Sequence, residues 1–330
     1  MNALLPLVSV TLCMLLSGCG PHYLAANDIH QAPYLDESSA SRHLVTRDAT
    51  SLAWESWHPA QATPQRAMLL GLHSYGDFRL AYADLGPWLA GQGIVTYAYD
   101  QRGFGESSQQ GRWPESPLLV EDLVDAITVL HQRHPNLPLI VAGESMGGSV
   151  ILNALARHPA LSIDGSLLAA PGVRGGIRWR YLYNAGLWTA AHLIPATSVE
   201  VPRRYPEGEL QPTAARRLAE DSRVVHSVRL DAYYGLIRFT DHASDDIAAL
   251  SADTRLPPTL LLHGDRDKTV PRVAIEQLVS DWPSASRDTL EIHYLPEAPH
   301  LLLQWHDSEQ VRGRIAHWLA EILPTRASQE

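Results

Sequence analysis

Short apolar runs alternate with stretches of helical periodicity along most of the chain. Runs that predict buried strands lie at residues 67–72, 94–99, 138–142, 166–170, 258–263 and 290–295. Between residues 118 and 130 apolar positions recur at helical spacing with acidic residues on the opposite side, and residues 305–323 are also amphipathic. Strands that alternate with helices predict an α/β protein whose mostly parallel sheet is covered by helices on both faces.

Two parts of the chain depart from this alternation. Residues 44–46 and 52–57 predict a hairpin ahead of the first parallel strand. Residues 172–255 contain no clear buried strand and are rich in aromatic side chains. Because ligand sites lie at the carboxyl ends of such sheets, the composition predicts a helical cap inserted over a site. A second independent domain is the alternative.

The N-terminal apolar segment, residues 3–16, is too short for a membrane span but suits the apolar region of a signal peptide. Both cysteines of the chain, Cys13 and Cys19, lie here, so no disulfide framework is available to the rest. The segment ends in L-S-G-C at Cys19, which resembles the lipobox of bacterial lipoproteins. No lysine or arginine precedes it, and a plain secretory signal or an uncut anchor are the alternatives.

The lipoprotein resemblance implies a signal peptide at 1–18, with acyl groups such as palmitate on Cys19 as the membrane anchor. A polar tether is expected at 19–41, followed by a single domain at 42–330 with the cap insertion at about 172–255. Gly20 is not the aspartate that this family associates with inner-membrane retention, which favours the outer membrane, facing the periplasm. The formal net charge of −10 argues against a nucleic-acid partner.

The pentapeptide G-E-S-M-G at residues 143–147 stands between a predicted strand and a predicted helix. Strand, sharp turn and helix form the context of a serine-nucleophile elbow, where glycines avoid collisions between the turn and its neighbours. Ser145 is then exposed at a helix N-terminus, whose amides favour developing negative charge. The alternative is an ordinary glycine-rich turn between a strand and a helix, without a catalytic role.

A serine hydroxyl needs a base to take its proton and a carboxylate to orient that base, here expected downstream in the chain. The sequence H-G-D-R-D-K-T-V-P at residues 263–271 places Asp265 and Asp267 in a loop after a predicted strand. P-E-A-P-H at residues 296–300 places His300 after the last strand. No motif suggests a metal site, and no cofactor is predicted.

These motifs, with D-Q-R-G-F-G-E-S at residues 100–107, resemble the α/β-hydrolase superfamily, close to monoacylglycerol lipase and lysophospholipase-like serine hydrolases. The resemblance covers about residues 44–323. It implies the α/β-hydrolase fold and a triad of Ser145, Asp267 and His300, with Asp265 as the second candidate for the acid. Residues 100–103 are expected to form a structural turn, with a part in the chemistry as the alternative, because their charges can pair within the loop.

The family's oxyanion hole implies the backbone amides of Tyr75 and Met146 as donors. The family usually has His-Gly where this chain has His73-Ser74, and serine resists backbone angles that glycine permits. Ser74 is the alternative to Tyr75 as a donor.

The expected function is a serine esterase or lipase that hydrolyses monoacylglycerol- or lysophospholipid-type esters, with a small lipid or ester as its partner. A serine acyltransferase remains open because only the acceptor differs. A non-catalytic lipid-binding lipoprotein on the same scaffold is the alternative from another class. Epoxide hydrolases and haloalkane dehalogenases use an aspartate nucleophile on this fold, so serine at 145 argues against both.

Overall fold

The computed structural model describes residues 20–38 and 42–323, which contain a large sheet and eight α-helices. The strands are β1 Tyr34–Asp36, β2 His43–Val45, β3 Ser51–Trp57, β4 Ala67–Leu72, β5 Ile94–Tyr99, β6 Leu139–Glu144, β7 Gly165–Ala169, β8 Ser198–Glu200, β9 Ser227–Arg229, β10 Thr259–Gly264 and β11 Leu290–Leu295. The helices are α1 Leu85–Gly91, α2 Ser116–Arg133, α3 Met146–Arg157, α4 Arg180–Leu193, α5 Pro212–Glu220, α6 Leu230–Ala248, α7 Arg272–Asp281 and α8 Ser308–Ile322.

Nine strands form one sheet in the order β1-β2-β3-β5-β4-β6-β7-β10-β11. The first three strands pair antiparallel, and β3 is also antiparallel to β5. From β5 onward every pairing is parallel. The carboxyl ends of these parallel strands therefore meet at one edge, where the loops after β4, β6, β10 and β11 lie side by side.

Alternate residues of each central strand enter two separate apolar cores. In β4, Met68 and Leu70 pack beneath helices α2, α3, α6 and α7, whereas Ala67 and Leu69 pack against α1 and α8. All four side chains are fully buried. The predicted parallel sheet covered by helices on both faces is thus confirmed.

The region ahead of the parallel strands contains the predicted hairpin, formed by β2 and β3. A polar tether was expected at 19–41, but its described part, residues 20–38, lies against the domain and is not a separate linker. Leu24 is 7% exposed and its amide donates to the Trp113 carbonyl at 2.8 Å, while β1 adds to the edge of the sheet.

The predicted signal peptide and Cys19 lie outside the described residues. Within the described ranges no helix has the length and apolarity needed to cross a membrane.

The insertion predicted at about 172–255 divides into two parts. Helices α4 and α5 and a small antiparallel pair, β8 with β9, form a cap above the carboxyl edge of the sheet. Helix α6 instead belongs to the main domain, since Phe239, Ala243 and Ile247 are fully buried in its core. The cap is therefore smaller than the predicted insertion.

The loop after β5 is fixed by buried ion pairs. Arg102 contacts Asp48 of the hairpin turn at 2.7 Å and Asp122 of α2 at 2.6 Å, and its side chain is 6% exposed. Asp100 contacts Arg79 at 2.6 Å. These partners lie outside residues 100–107, so the expectation that the charges pair within the loop is wrong. The ion pairs join three separate elements, which agrees with a structural role for this motif.

Candidate active site

Ser145 occupies the sharp turn between β6 and α3. Its backbone has φ 53° and ψ −112°, a combination that residues with a side chain rarely adopt. The Ser145 amide donates to the Ala169 carbonyl at 2.9 Å, and its own carbonyl accepts from the amides of Ser149 at 3.2 Å and Gly172 at 2.8 Å. These hydrogen bonds offset the strain and hold the Ser145 side chain at the carboxyl edge of the sheet.

The two glycines of the pentapeptide allow the turn to pack closely. A Cβ on Gly147 would lie 2.2 Å from the carbonyl oxygen of Leu72 at the end of β4. One on Gly143 would lie 2.4 Å from the backbone carbon of Gly147. Both contacts are with backbone atoms that cannot rotate away, so glycine is required at these two positions.

Ser145, His300 and Asp267 form a continuous hydrogen-bonded chain. The Ser145 Oγ lies 2.8 Å from His300 Nε2, and His300 Nδ1 lies 2.7 Å from Asp267 Oδ2. An ionised carboxylate only accepts hydrogen bonds, so Nδ1 donates to Asp267 and Nε2 is left to accept from the serine hydroxyl. Asp267 and His300 come together because they follow the paired parallel strands β10 and β11.

The two candidate acids have different surroundings. The Asp267 side chain is fully buried, and its Oδ1 accepts from the amides of Thr269 at 2.7 Å and Val270 at 2.9 Å. Burial alone raises the pKa of Asp267, but the hydrogen bonds from His300 and these amides outweigh it and hold the pKa below its usual value. Asp265 instead pairs with Arg272 at 3.2 Å, and its side chain is 40% exposed. Asp267 alone is placed to orient His300.

The loop after β4 lies beside the elbow because Leu72 pairs with Gly143 in the neighbouring strand. Ser74 does not adopt a positive φ, whereas Gly76 does, at 79°. The left-handed position of this loop is therefore residue 76, and serine at 74 imposes no backbone strain of the kind that glycine would relieve.

Tyr75 is held on three sides. Its carbonyl accepts from Arg203 of the cap at 3.1 Å, and its ring contacts those of Phe104 and Trp113 at centroid distances of 5.2 and 6.2 Å. Burial raises the pKa of its hydroxyl, which stays protonated. Within the described part of the chain, the Tyr75 amide has no hydrogen-bond partner. Together with the Met146 amide at the start of α3, it is a candidate donor to a ligand.

His73 fixes this loop through contacts that sequence reasoning missed. Its Nε2 accepts from the Gln101 amide at 3.0 Å, and its Nδ1 donates to the Ser74 carbonyl at 2.9 Å. The Gln101 side chain donates in turn to the His73 carbonyl at 2.8 Å. Burial lowers the pKa of His73, so the ring is neutral. The sequence analysis noted both His73 and the D-Q-R-G motif that contains Gln101, but neither pattern indicated that the two residues are hydrogen-bonded to each other.

Ser145 opens into a cavity of about 500 Å³ between the sheet edge and the cap. Most of its lining side chains are apolar or aromatic, namely Met146, Val173, Ile177, Trp179, Tyr183, Tyr233, Leu236, Ile237 and Val270. Arg174 and Arg180 also line it, but they are paired with Asp241 at 3.2 Å and Asp245 at 2.6 Å. We call it the acyl cavity, and its apolar walls suit a long apolar group.

A buried polar network lies beneath the elbow and joins it to the cap. Glu144, 1% exposed, accepts from the Leu303 amide at 2.8 Å and from the Gln304 side chain at 2.9 Å. Gln304 also contacts Asp77, which pairs with Arg217 on cap helix α5. The network therefore connects the residue before Ser145, the segment after His300 and the cap. Burial raises the pKa of Glu144 to about 7.

The raised pKa of Glu144 predicts that stability falls with rising pH. In the folded protein Glu144 keeps its proton up to about pH 7, whereas its usual pKa is 4.5. The folded state therefore binds more protons between these values, and the free energy of unfolding should drop by up to about 3 kcal/mol over this interval. Urea denaturation from pH 4 to 8, compared between wild type and Glu144→Gln, measures this contribution.

Glu220→Gln, which removes an exposed carboxyl at the end of α5, is the control. It should follow the wild-type pH dependence, while Glu144→Gln should lose less stability than wild type as the pH rises. If the free energy of unfolding changed equally with pH in all three proteins, Glu144 would be ruled out as a titrating group in this range.

The family profile described as serine aminopeptidase, S33 (Hydrolase_4) matches residues 63–308. A monoacylglycerol lipase of Mycolicibacterium smegmatis is 24% identical over 284 residues, covering 82% of this chain and 94% of the relative. Human monoglyceride lipase is 28% identical over 130 residues, 39% of this chain and 42% of the relative.

Solved structures share the fold. A soluble variant of monoglyceride lipase from Saccharomyces cerevisiae in complex with a substrate analog superposes with a TM-score of 0.70 at 17% identity, covering 93% of this chain and 99% of that one. Monoacylglycerol lipase from Paleococcus ferrophilus gives a TM-score of 0.64 at 21% identity, covering 82% and 98%. The predicted α/β-hydrolase fold is confirmed, and the chain belongs to the S33 serine aminopeptidase (Hydrolase_4) family of α/β-hydrolases.

Proposed function

We propose that this protein is a serine esterase or lipase that hydrolyses acyl esters with a long apolar chain. Hydrolysis of carboxylic esters is the activity that the family and the monoacylglycerol lipase relatives support. The observation that carries the proposal is the 2.8 Å contact between Ser145 Oγ and His300 Nε2 at the floor of an apolar cavity.

In the proposed reaction His300 Nε2 takes the Ser145 proton while Oγ bonds to the ester carbonyl carbon. The amides of Tyr75 and Met146 stabilise the oxyanion, at about 3–4 kcal/mol per donor. His300 then protonates the leaving alcohol, and the acyl group stays on Ser145. His300 takes a proton from water as the water oxygen bonds to the acyl carbon. It then gives that proton to Ser145 Oγ as the bond to Ser145 breaks and the fatty acid leaves. Asp267 keeps its negative charge throughout and stabilises the imidazolium.

The composition of the acyl cavity favours an acyl ester over a peptide with a free N-terminus. In such a peptide the ammonium group belongs to the acyl half, which would occupy the acyl cavity. A carboxylate is the usual partner of an ammonium group, and the described residues that line this cavity include none. The charged groups that do line it, Arg174 and Arg180, are already paired. The apolar walls instead match the hydrocarbon chain of a monoacylglycerol- or lysophospholipid-type ester.

Specificity should rise with acyl chain length until the acyl cavity is full. Each buried methylene contributes about 0.8 kcal/mol, which corresponds to about a fourfold gain in kcat/KM. A series of glycerol or p-nitrophenyl esters from two to sixteen carbons measures this. Leu236→Trp, which fills part of the cavity, should move the optimum to shorter chains. Ile29→Ala, at an exposed position outside both the acyl cavity and the cap, is the control.

Flat kcat/KM across the series, or a maximum at acetate, would contradict a lipid substrate and leave a hydrolase of small esters. An optimum that Leu236→Trp does not move would mean that the chain lies elsewhere.

The proposed substrate is delivered from a lipid surface. Trp179, Leu182 and Leu193 of the cap are 58–69% exposed, an arrangement that suits contact with lipid. Acylation of Cys19 would hold the protein in the cell envelope, at the outer membrane as the sequence resemblance implies. The mass of the N-terminal fragment from the native host tests this anchor directly.

A further inference from the structure

A second cavity, of about 600 Å³, opens at His300. Thr269 lines both cavities, with Ser145 in the acyl cavity and His300 in the second one. In the proposed reaction the alcohol leaves as it takes the proton from His300, so it leaves on the His300 side. The second cavity is therefore placed to hold the alcohol part of the ester, and we call it the alcohol cavity.

One wall of the alcohol cavity is tied together by backbone contacts between the cap and the segment after His300. The Gln211 amide donates to the Gln304 carbonyl at 2.9 Å, and the His306 amide donates to the Glu209 carbonyl at 3.2 Å. Leu210 and Trp305 form an antiparallel bridge between them. These backbone contacts fix the wall, and Glu209, which lines the cavity, is part of it.

Charges of both signs line the alcohol cavity. Lys268, which follows Asp267 directly, is the single lysine among the 26 lysines and arginines of the chain. Lys268 lines this cavity together with the cap residues Glu207 and Glu209. Arg266 and Glu297 also line it and pair with each other. The ion pairs found within residues 20–38 and 42–323 include Arg266 with Glu297 but not Lys268, Glu207 or Glu209, so the charges of these three are open to a ligand.

We propose that the alcohol cavity binds a zwitterionic head group, in which a phosphate contacts Lys268 and an ammonium group contacts Glu207 and Glu209. A cavity with a cation from the sheet edge and carboxylates from the cap complements a phosphate followed by an amine, as in a lysophospholipid. A neutral glycerol head group uses none of these charges. The inference rests on the proposed function, since it names the alcohol that Ser145 displaces from the acyl group.

The test compares a 1-acyl-glycerophosphoethanolamine with a 1-acylglycerol of the same chain length, in the same mixed micelles and with the full-length protein. The measured quantity is the ratio of kcat/KM for the charged ester to that for the neutral one. Lys268→Met should lower this ratio about tenfold or more, because it removes a charge-assisted contact, and Lys268→Arg should restore most of it. The double variant Glu207→Gln, Glu209→Gln should lower it as well. Arg314→Gln, an equal charge change on α8 away from the cavity, should leave it unchanged.

The single lysine also allows a binding measurement that does not depend on turnover. Reductive methylation with ¹³C-formaldehyde keeps the charge and labels the Lys268 side chain as well as any free α-amino group. The signal that is missing from Lys268→Arg is that of Lys268. Its NMR signal should shift and saturate on titration with glycerophosphoethanolamine and should not respond to glycerol. No shift, or the same shift with glycerol, would overturn the inference, as would a substrate ratio that Lys268→Met leaves within twofold.

Hydrolysis of p-nitrophenyl butyrate separates this inference from the proposed function, because that ester has no lipid head group. If the butyrate ester is hydrolysed and the substrate ratio does not respond to Lys268→Met, only the head-group inference fails. If no ester is hydrolysed, the proposed function fails, and the NMR titration still decides whether the alcohol cavity binds the head group.

Discussion

Ser145→Ala should lower kcat/KM for ester hydrolysis by about 10⁴-fold or more, because it removes the atom that bonds to the carbonyl carbon. The side chain is small and lies at the cavity floor, so the free energy of unfolding should change by less than about 1 kcal/mol. Initial rates on a p-nitrophenyl ester and urea denaturation of both proteins measure the two effects. A large loss of rate without loss of stability is the signature of a nucleophile.

Ser149→Ala is the matched control, since Ser149 lies one turn further along α3. Its hydroxyl donates to the Gly172 carbonyl at 2.6 Å, and its loss should cost about 1 kcal/mol of stability and leave turnover within about tenfold. Activity of Ser145→Ala within about tenfold of wild type would remove Ser145 from the reaction.

Asp267→Asn should lower kcat by about 10⁴-fold, whereas Asp265→Asn should change it by less than about threefold. An amide at 267 has no negative charge with which to accept the hydrogen bond from His300 Nδ1. It therefore favours the wrong tautomer of the ring. Asp265 is solvent-exposed and touches only Arg272 among charged groups of the described chain. Steady-state rates for the pair of variants, which differ by two positions in one loop, compare the two carboxylates directly.

Equal losses in both variants would indicate damage to the loop, which urea denaturation would detect. A larger loss for Asp265→Asn would identify Asp265 as the acid and contradict the hydrogen bond assigned between Asp267 and His300.

Buried strands and the elbow could be predicted because their signals are local. Strands β4, β5 and β11 begin and end at the residues that the sequence pattern predicts. A run of apolar side chains is buried on both faces of a parallel sheet, so its ends mark the ends of the strand. The position of Ser145 at the turn after β6 follows in the same way from adjacent glycines.

Contacts between segments far apart in the chain could not be predicted, because they leave no local pattern in the sequence. The polar segment at residues 20–38 has no periodicity, yet Leu24 is buried and β1 joins the sheet. The strands β8 and β9 have three residues each, too short for a periodic pattern to show. The network of Glu144, Gln304 and Asp77 unites residues far apart in the chain, so only the folded structure reveals it.

Labelling with a fluorophosphonate tests the assignment of Ser145 most directly, because this probe bonds only to a serine that a neighbouring base activates. The full-length protein is incubated with the probe, residual ester hydrolysis is followed over time, and the labelled residue is located by peptide mass spectrometry. One adduct per chain should form on Ser145, in step with the loss of activity, and His300→Ala should prevent it. An adduct on another residue, or a protein that stays unlabelled and hydrolyses esters, would contradict the proposed mechanism.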